Sequence, residues 1–292
     1  MKDVIIIGKG PAGITASLYT VRAGLNTTVI GKDSGALSKA SEIENYYGFE
    51  TPISGGELIS RGIAQAKNLG VNIIEDEVVG IGFEDMLTVK TANNVYKADS
   101  VIIATGSPRK APEIEGLDKY NGKGISYCAV CDAFFYRGKD VAVLGCCDYA
   151  LSEALELLPV VNSVTMITNG SKPIDNIPQE IKVIDTPIDR LLGDDLLTGV
   201  AFKDGTEISV AGLFVAVGVA GSSDLAKKLG VNTVGTKIAV DENMATNLPG
   251  LYAAGDCTGG MLQIAKAVYE GAKAGSEAIK YIRKKNGITH EV

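Results

Sequence analysis

The chain of 292 residues has almost no histidine. Its single copy, His290, leaves no basis for a Ser-His-Asp triad or a multi-histidine metal site, and no metal is expected. It also has no excess of positive charge. With 28 Lys and Arg against 35 Asp and Glu, the formal charge is -7, the wrong balance for a general nucleic-acid binder, which needs basic surface to displace counterions. No apolar run approaches the roughly 20 residues that span a bilayer. The opening MKDVIIIG has no basic segment followed by a signal-length apolar stretch, so a cytoplasmic protein without a membrane partner is expected. Cysteines are few and odd in number, at 128, 131, 146, 147 and 257, and a secreted-type disulfide framework is not expected. Redox chemistry or burial must account for them. No C-x-x-C-x-x-C run is present, so any iron–sulfur cluster belongs to a partner.

What is present begins with a hydrophobic content of 46% and enough length for two ordinary domains. The segment MKDVIIIGKGPAGIT reads as a strand, a glycine turn and a helix start, with Gly8, Gly10 and Gly13 in G-x-G-x-x-G spacing and Pro11 and Ala12 inside the turn. The first glycine permits the tight turn, the second lets backbone approach a pyrophosphate, and the third lets helix and strand pack closely. The helix start then offers unpaired N–H groups and a positive dipole end to phosphates. The next strand, NTTVIG, ends at Gly31 rather than at the acidic residue that usually holds a ribose. Asp33 is near enough to substitute, or is a solvated turn residue.

DVIIIGKGPAGITASL lies over DVAVLGCCDYALSEAL, which puts Gly8 on Gly145, Gly10 on Cys147 and Gly13 on Ala150. Each copy is followed by an apolar strand ending in glycine: VIIATG, with Ala104, Thr105 and Gly106, and later LFVAVG. The repeat predicts an α/β protein of two doubly wound, Rossmann-like nucleotide-binding domains. Near the end, LPGLYAAGDCTGG, containing Gly255 and Asp256, forms a strand and turn before an amphipathic helix that carries Ile264, Val268, Ala272, Ile279 and Ile282. It resembles neither domain start. The economical arrangement is a first domain of residues 1–112 and 243–292, interrupted by a second at 113–242, with Pro108, Pro112 and DENMATNLPG as crossover points.

Between the boundary and the second copy lies SYCAVCDAFFYRGKDVAVLG. Cys128 and Cys131, followed at once by Asp132, are spaced so that a helical turn sets both thiols on one face, where they can close a small disulfide. Asp132 is placed to shuttle a proton to a leaving thiol. A zinc site would need two further ligands, for which only Cys146 and Cys147 are near in sequence, and simple burial is the other alternative. Cys146, Cys147 and Cys257 themselves are expected to be packing residues.

The order GKGPAG, VIIATGSPR, CAVCDAFFYRGKDVAVLG and LYAAGDCTGG resembles the low-molecular-weight thioredoxin reductase family along nearly the whole chain. The resemblance implies FAD in the first domain, a redox disulfide in the second, thioredoxin as acceptor and a homodimer. It implies that Gly8, Gly10, Gly13 and Asn45 line FAD, that Asp256 binds its ribityl chain and that Gln263 lies near the isoalloxazine; Pro11, Ala12, Asp33, Ala104, Thr105, Gly106, Gly255 and Ile264 complete the expected cofactor set. Cys131 would face the flavin, Cys128 would attack thioredoxin, and Asp132 would be the acid–base group. Family members rotate one domain against the other to alternate these contacts.

The departures are as informative. NADPH-using members have G-x-G-x-x-A in the second copy and an H-R-R type cluster after the following strand, where this chain has GCCDYA and SVTMITNGSKP, with no arginine between Arg137 and Arg190. FVAVGVAGSSDL also lacks the usual histidine and proline. This combination resembles the ferredoxin-dependent flavin thioredoxin reductases, making ferredoxin the expected donor; a conventional NADPH-dependent reductase and a flavin-binding redox sensor without turnover are the alternatives. Lys32, Lys39, Arg109, Lys110, Lys266 and Lys273 are candidate docking cations or ordinary solvated residues.

Overall fold

The computed structural model describes residues 2–32, 35–106, 114–127, 129–217 and 222–288. In chain order the elements begin with β1 (Lys2–Ile7), α1 (Pro11–Arg22), β2 (Thr27–Ile30), α2 (Gly55–Asn68), β3 (Asn72–Ile74), β4 (Val78–Phe83), β5 (Leu87–Thr91) and β6 (Val95–Ile103). They continue with β7 (Ile125–Ser126), α3 (Ala129–Asp132), β8 (Asp140–Leu144), α4 (Asp148–Leu157), β9 (Ser163–Ile167), β10 (Ile181–Ile184), β11 (Ile188–Leu192), β12 (Gly199–Phe202), β13 (Glu207–Ser209) and β14 (Gly212–Val215). The last group is α5 (Ser222–Lys227), β15 (Thr233–Val234), β16 (Lys237–Ile238), β17 (Leu251–Ala253) and α6 (Ile264–Lys285).

Contacts divide the chain into two units, Met1–Pro108 with Gly221–Val292, and Arg109–Ala220. The sequence pattern runs the insertion on to 242, whereas the contact division closes it at 220. Residues beyond that point are tied to the first unit: Lys237 Nζ donates to the carbonyl of Asp256 at 3.0 Å, and Asn232 N–H donates to Asn247 Oδ1 at 2.8 Å.

In the first unit β3, β2, β1 and β6 are parallel neighbours in that order. β17 runs parallel to residues 101–103 of β6, and β5 and β4 extend the sheet antiparallel. The unbroken apolar run Val4–Ile7 is buried throughout, as expected of a parallel strand covered on both faces. Small residues set the helix packing. A Cβ at Gly271 would lie 2.2 Å from the carbonyl oxygen of Ala12, and one at Gly275 would lie 2.9 Å from that of Ala16, so α6 rests directly on the backbone of α1.

The second unit has its own all-parallel sheet, ordered β10-β9-β8-β14-β7, beside the antiparallel sheet β11-β12-β13. Leu144, Ile167, Leu213 and Phe202 are among the side chains of its separate core. Both sheets have the doubly wound character that the repeated pattern predicts. Among the described residues no helix is long and apolar enough to cross a membrane.

Candidate active site

The first glycine turn is shaped by backbone contact. Gly8 has φ +112°, and a Cβ there would lie 2.3 Å from the carbonyl oxygen of Ala104; a Cβ at Gly13 would lie 1.9 Å from the carbonyl oxygen of Gly8. Strand, turn and helix therefore close on one another only with glycine at both positions. Gly10 differs: it is the N-cap of α1 and faces open space, with nothing within 4 Å of an added Cβ. No side chain caps α1 and Pro11 follows, which leaves backbone donors of the first turn directed at that space.

The strand ends around this turn carry the other expected residues. Ala104 N–H donates to the carbonyl of Ile7 at 2.8 Å, which brings Ala104 and Thr105 beside Gly8, and Thr105 Oγ1 is buried without a partner among the described residues. Gly106 takes φ +76°. Gly255 has φ +86° and packs on Ala12, since a Cβ there would lie 2.9 Å from the Ala12 methyl. Asn45 and Gln263, 218 residues apart, meet: Asn45 Nδ2 donates to Gln263 Oε1 at 3.1 Å. Gln263 is the N-cap of α6, whose first turn begins at Ile264 without a side-chain cap or an acidic residue. Backbone N–H groups at the uncapped start of α1 beside Gly10 and an orphaned buried hydroxyl at Thr105 supply donors, and the carboxylate of Asp256 an acceptor, in a set that fits a dinucleotide. Asp33 lies outside the described residues. At the end of β2, Lys9 fills the side of Gly31 with its stem and ion-pairs with Glu75 at 3.0 Å, which draws the Glu75 carboxyl below its usual range.

Two residues hold the GDCTG turn: Glu270, which sequence reasoning does not select, and Lys266, which it offers only as a docking cation. Glu270 accepts from the N–H of Gly255 at 2.8 Å and from Thr258 Oγ1 at 2.9 Å, and Lys266 pairs with Glu270 at 2.9 Å while donating to the carbonyls of Gly255 and Gly259. Lys266 is thus turned inward, its side chain 14% exposed, and is not a docking cation. The signal available in the sequence is the i,i+4 Lys–Glu pair on the face of α6 that also carries Ala267, Gly271 and Ala274. Cys257 is a packing residue as expected. It is fully buried, it donates to the carbonyls of Ile103 and Ala254, and burial pushes its thiol up to about 12.

In the second unit, α3 carries Cys131 and Asp132, while Cys128 lies outside the described residues. Ser126 Oγ donates to Asp132 Oδ2 at 2.7 Å, fixing the carboxylate. The N–H of Ala129, at the start of the helix, donates to Glu153 Oε2 at 2.7 Å. Glu153 is 1% exposed and sits on the face of α4 formed by Tyr149, Ala150, Ala154 and Leu157. A carboxylate at a core-periodic position is its sequence signature. Tyr136 packs edge-on against Phe214 at 5.2 Å, and burial, then Asp132, pushes its phenol upward. Phe134 and Phe135, by contrast, are 71% and 69% exposed immediately after the cysteine pair.

The second glycine turn keeps the close strand–helix approach and changes the phosphate side. A Cβ at Gly145 would lie 2.2 Å from the carbonyl oxygen of Ala216 and 2.6 Å from the Ala150 methyl. Cys147 takes the N-cap of α4, the place that Gly10 holds on α1. Past β9, Asn169 is spent on the backbone, its Oδ1 accepting from Ile188 N–H at 2.7 Å, and Lys172 is exposed. Arg190 pairs with Asp189 at 2.8 Å and Glu207 at 3.7 Å, and the Arg137 guanidinium lies over the Phe134 ring at 5.7 Å. Cys146 and Cys147 are half-buried thiols rather than the packing residues expected, with Sγ atoms 3.7 Å apart.

Two doubly wound units, one with an open dinucleotide turn and the other with a C-x-x-C segment, define a disulfide oxidoreductase with two nucleotide folds. The chain belongs to the pyridine nucleotide-disulphide oxidoreductase family, whose model matches residues 2–271. Within it, the chain is a homologue of low-molecular-weight thioredoxin reductases. It is 36% identical to the thioredoxin reductase of Listeria monocytogenes, over 96% of this chain and 93% of that one. Among solved structures, the atypical thioredoxin reductase TRi from Desulfovibrio vulgaris Hildenborough superposes with a TM-score of 0.91 at 41% identity, covering 98% of this chain and 99% of that one. A ferredoxin-flavin thioredoxin reductase from Clostridium acetobutylicum gives 0.73 at 32% identity, covering 97% and 98%. The family's members are FAD flavoproteins, and FAD is the cofactor of this chain.

Proposed function

We propose that the protein is a ferredoxin-dependent thioredoxin reductase, a cytoplasmic homodimer that passes electrons through FAD and the Cys128–Cys131 pair to thioredoxin. The observation that carries the choice of donor is Cys147 at the N-cap of α4. A Cys Cβ and sulfur stand where a pyrophosphate requires close backbone contact. A 2'-phosphate would also need a planar, charge-assisted fork, and beyond β9 only Asn169 and Lys172 are near, one already bonded to Ile188 and the other a single point charge. A protein donor needs no such pocket. The ferredoxin-flavin enzyme from Clostridium lends the reading support as a relative of this chain.

FAD would be held by Gly8, Gly10, Pro11, Ala12 and Gly13 at the start of α1, by Ala104, Thr105 and Gly106 after β6, and by Asn45, Gly255, Asp256, Gln263 and Ile264, with Asp33 near the ribose. When bound, it supplies the exchange between single-electron and two-electron chemistry that joins an iron–sulfur donor to a disulfide. The remaining steps are thiol chemistry. The Cys128 thiolate attacks one sulfur of the thioredoxin disulfide, forming a mixed disulfide and releasing a thiolate that Asp132 protonates. Cys131 then attacks Cys128, closing the internal disulfide and releasing thioredoxin as the dithiol. Exposed Phe134 and Phe135, close after the C-x-x-C pair in sequence, offer an apolar landing for thioredoxin. The transfer is downhill: a donor near roughly -400 mV and thioredoxin near roughly -270 mV differ by about 130 mV, or about 6 kcal/mol for two electrons.

The test is anaerobic mixing of the oxidised holoprotein with NADPH, with NADH and with reduced ferredoxin, following flavin bleaching and thioredoxin thiols. Bleaching and thiol production with ferredoxin alone are expected. Turnover-competent bleaching by either nicotinamide would establish a conventional reductase instead.

A further inference from the structure

Cys146 and Cys147 take no part in the proposed electron path, yet they are two adjacent thiols, half-buried, in contact at 3.7 Å, at the entrance to α4. We propose that they form a second redox-active dithiol, which hydroperoxides close to a disulfide between neighbouring residues. The inference stands on this geometry and does not depend on the identity of the electron donor.

Three features of the turn support it. Both side chains are accessible enough to meet a small oxidant, unlike fully buried Cys257. Their sulfurs face one another, so closure to a bond of about 2.05 Å needs a side-chain rotation and a local adjustment rather than transport of a distant residue. The backbone also makes the product reversible. Adjacent Cα atoms across a trans peptide are about 3.8 Å apart, below the usual disulfide range of about 4.4–6.8 Å, so the ring is strained and readily reduced. Strained, accessible disulfides are the labile ones. On the other side of the turn a Cβ at Gly145 would lie 2.2 Å from the carbonyl oxygen of Ala216, which fixes the backbone that leads into the cysteine pair.

The chemistry balances without any cofactor. One thiol of the pair, as thiolate, attacks a peroxide oxygen; the O–O bond breaks, an alcohol or water leaves after taking up a proton, and a sulfenic acid remains. The neighbouring thiol attacks that sulfur, the S–S bond forms, and the hydroxyl departs as water with the proton of the attacking thiol. An external dithiol reverses the closure by exchange, becoming a disulfide itself.

Trypsin separates the two cysteine pairs: cleavage after Lys123 and Arg137 isolates Cys128 with Cys131, and cleavage after Lys139 and Lys182 isolates Cys146 with Cys147. The FAD-loaded Cys128→Ser/Cys131→Ser chain is reduced, treated with graded hydrogen peroxide, alkylated with a maleimide and mapped by mass spectrometry. The peptide of residues 140–182 is expected to lose two hydrogens and all maleimide uptake, and dithiothreitol is expected to restore both alkylation sites. Cys146→Ser or Cys147→Ser, added to that chain, should abolish closure and leave the remaining thiol trappable as a sulfenic acid by dimedone. The wild-type chain, mapped in parallel, gives the same readout if the double variant folds poorly. Full double alkylation after peroxide, direct passage to sulfinic acid, or a cross-link from this peptide to another cysteine would overturn the proposal.

Discussion

At the scale of single residues, the proposed function makes the two thiols of the C-x-x-C pair unequal. If Cys128 attacks and Cys131 resolves, Cys131→Ser should accumulate a stable mixed disulfide with oxidised thioredoxin after the flavin-free thiol is exposed, because the resolving sulfur is gone. Cys128→Ser should accumulate none. Non-reducing electrophoresis with peptide mapping reads both outcomes, and the reverse pattern would exchange the roles. The C-x-x-C-D order is legible in the sequence because its geometry is local, a matter of one helical turn. Glu153 is not, although it holds the first N–H of that turn: the link joins residues 24 apart and needs α4 packed against α3. Lys266 shows the same limit from the other side, since its sequence position says nothing of whether its ammonium faces solvent or the carbonyls of Gly255 and Gly259.

Between elements, α6 rests on the backbone of α1 at the first glycine turn, through Gly271 on Ala12. Gly271→Ala would place a methyl 2.2 Å from the carbonyl oxygen of Ala12, so the helices must separate. A loss of about 1–3 kcal/mol is expected, the usual range for overpacking, together with weaker FAD retention because Ala12 belongs to the turn. Gly10→Ala provides the contrast. Its Cβ enters open space and its φ of -80° suits any residue, so the apoprotein should melt within a few degrees of wild type while FAD is lost on gel filtration. Thermal melts of both apoproteins, paired with flavin absorbance after desalting, separate a packing effect from a binding effect. Equal destabilisation of both would mean that Gly10 is structural rather than a phosphate contact.

For the whole molecule, burial of titratable groups in the first unit sets an alkaline limit. The thiol of Cys257, ordinarily near 9.0, and the phenol of Tyr252, ordinarily near 10.0, are each pushed up to about 12 mainly by burial. Folded protein therefore keeps protons that the unfolded chain releases. Stability from these groups is complete below pH 9 and is lost as pH rises through about 12, with the unfolded state carrying up to about two fewer protons in that window. Urea midpoints of the apoprotein are expected to fall steadily between pH 9 and 12, and Cys257→Ala should make the decline shallower by about one proton. An unchanged slope would show that Cys257 does not titrate with unfolding.

Sequence alone determined the features whose physics is local or periodic: the strand–turn–helix of each nucleotide fold, the buried parallel strands such as Val4–Ile7, the glycines at 8, 13 and 145 where a Cβ would strike backbone, and the spacing of the C-x-x-C pair. It also carried the substitution of Cys147 for the second glycine, because a missing residue type is visible without coordinates. Tertiary structure alone decided what depends on which distant segments meet. It brought Asn45 to Gln263 across 218 residues, joined the segment after 220 to the first unit through Lys237 and Asn232, and drew Lys266 inward. It also left Cys146 and Cys147 half-buried and in contact, where composition suggested ordinary packing. A side chain's burial is the sum of everything packed around it, and no window of sequence contains those neighbours.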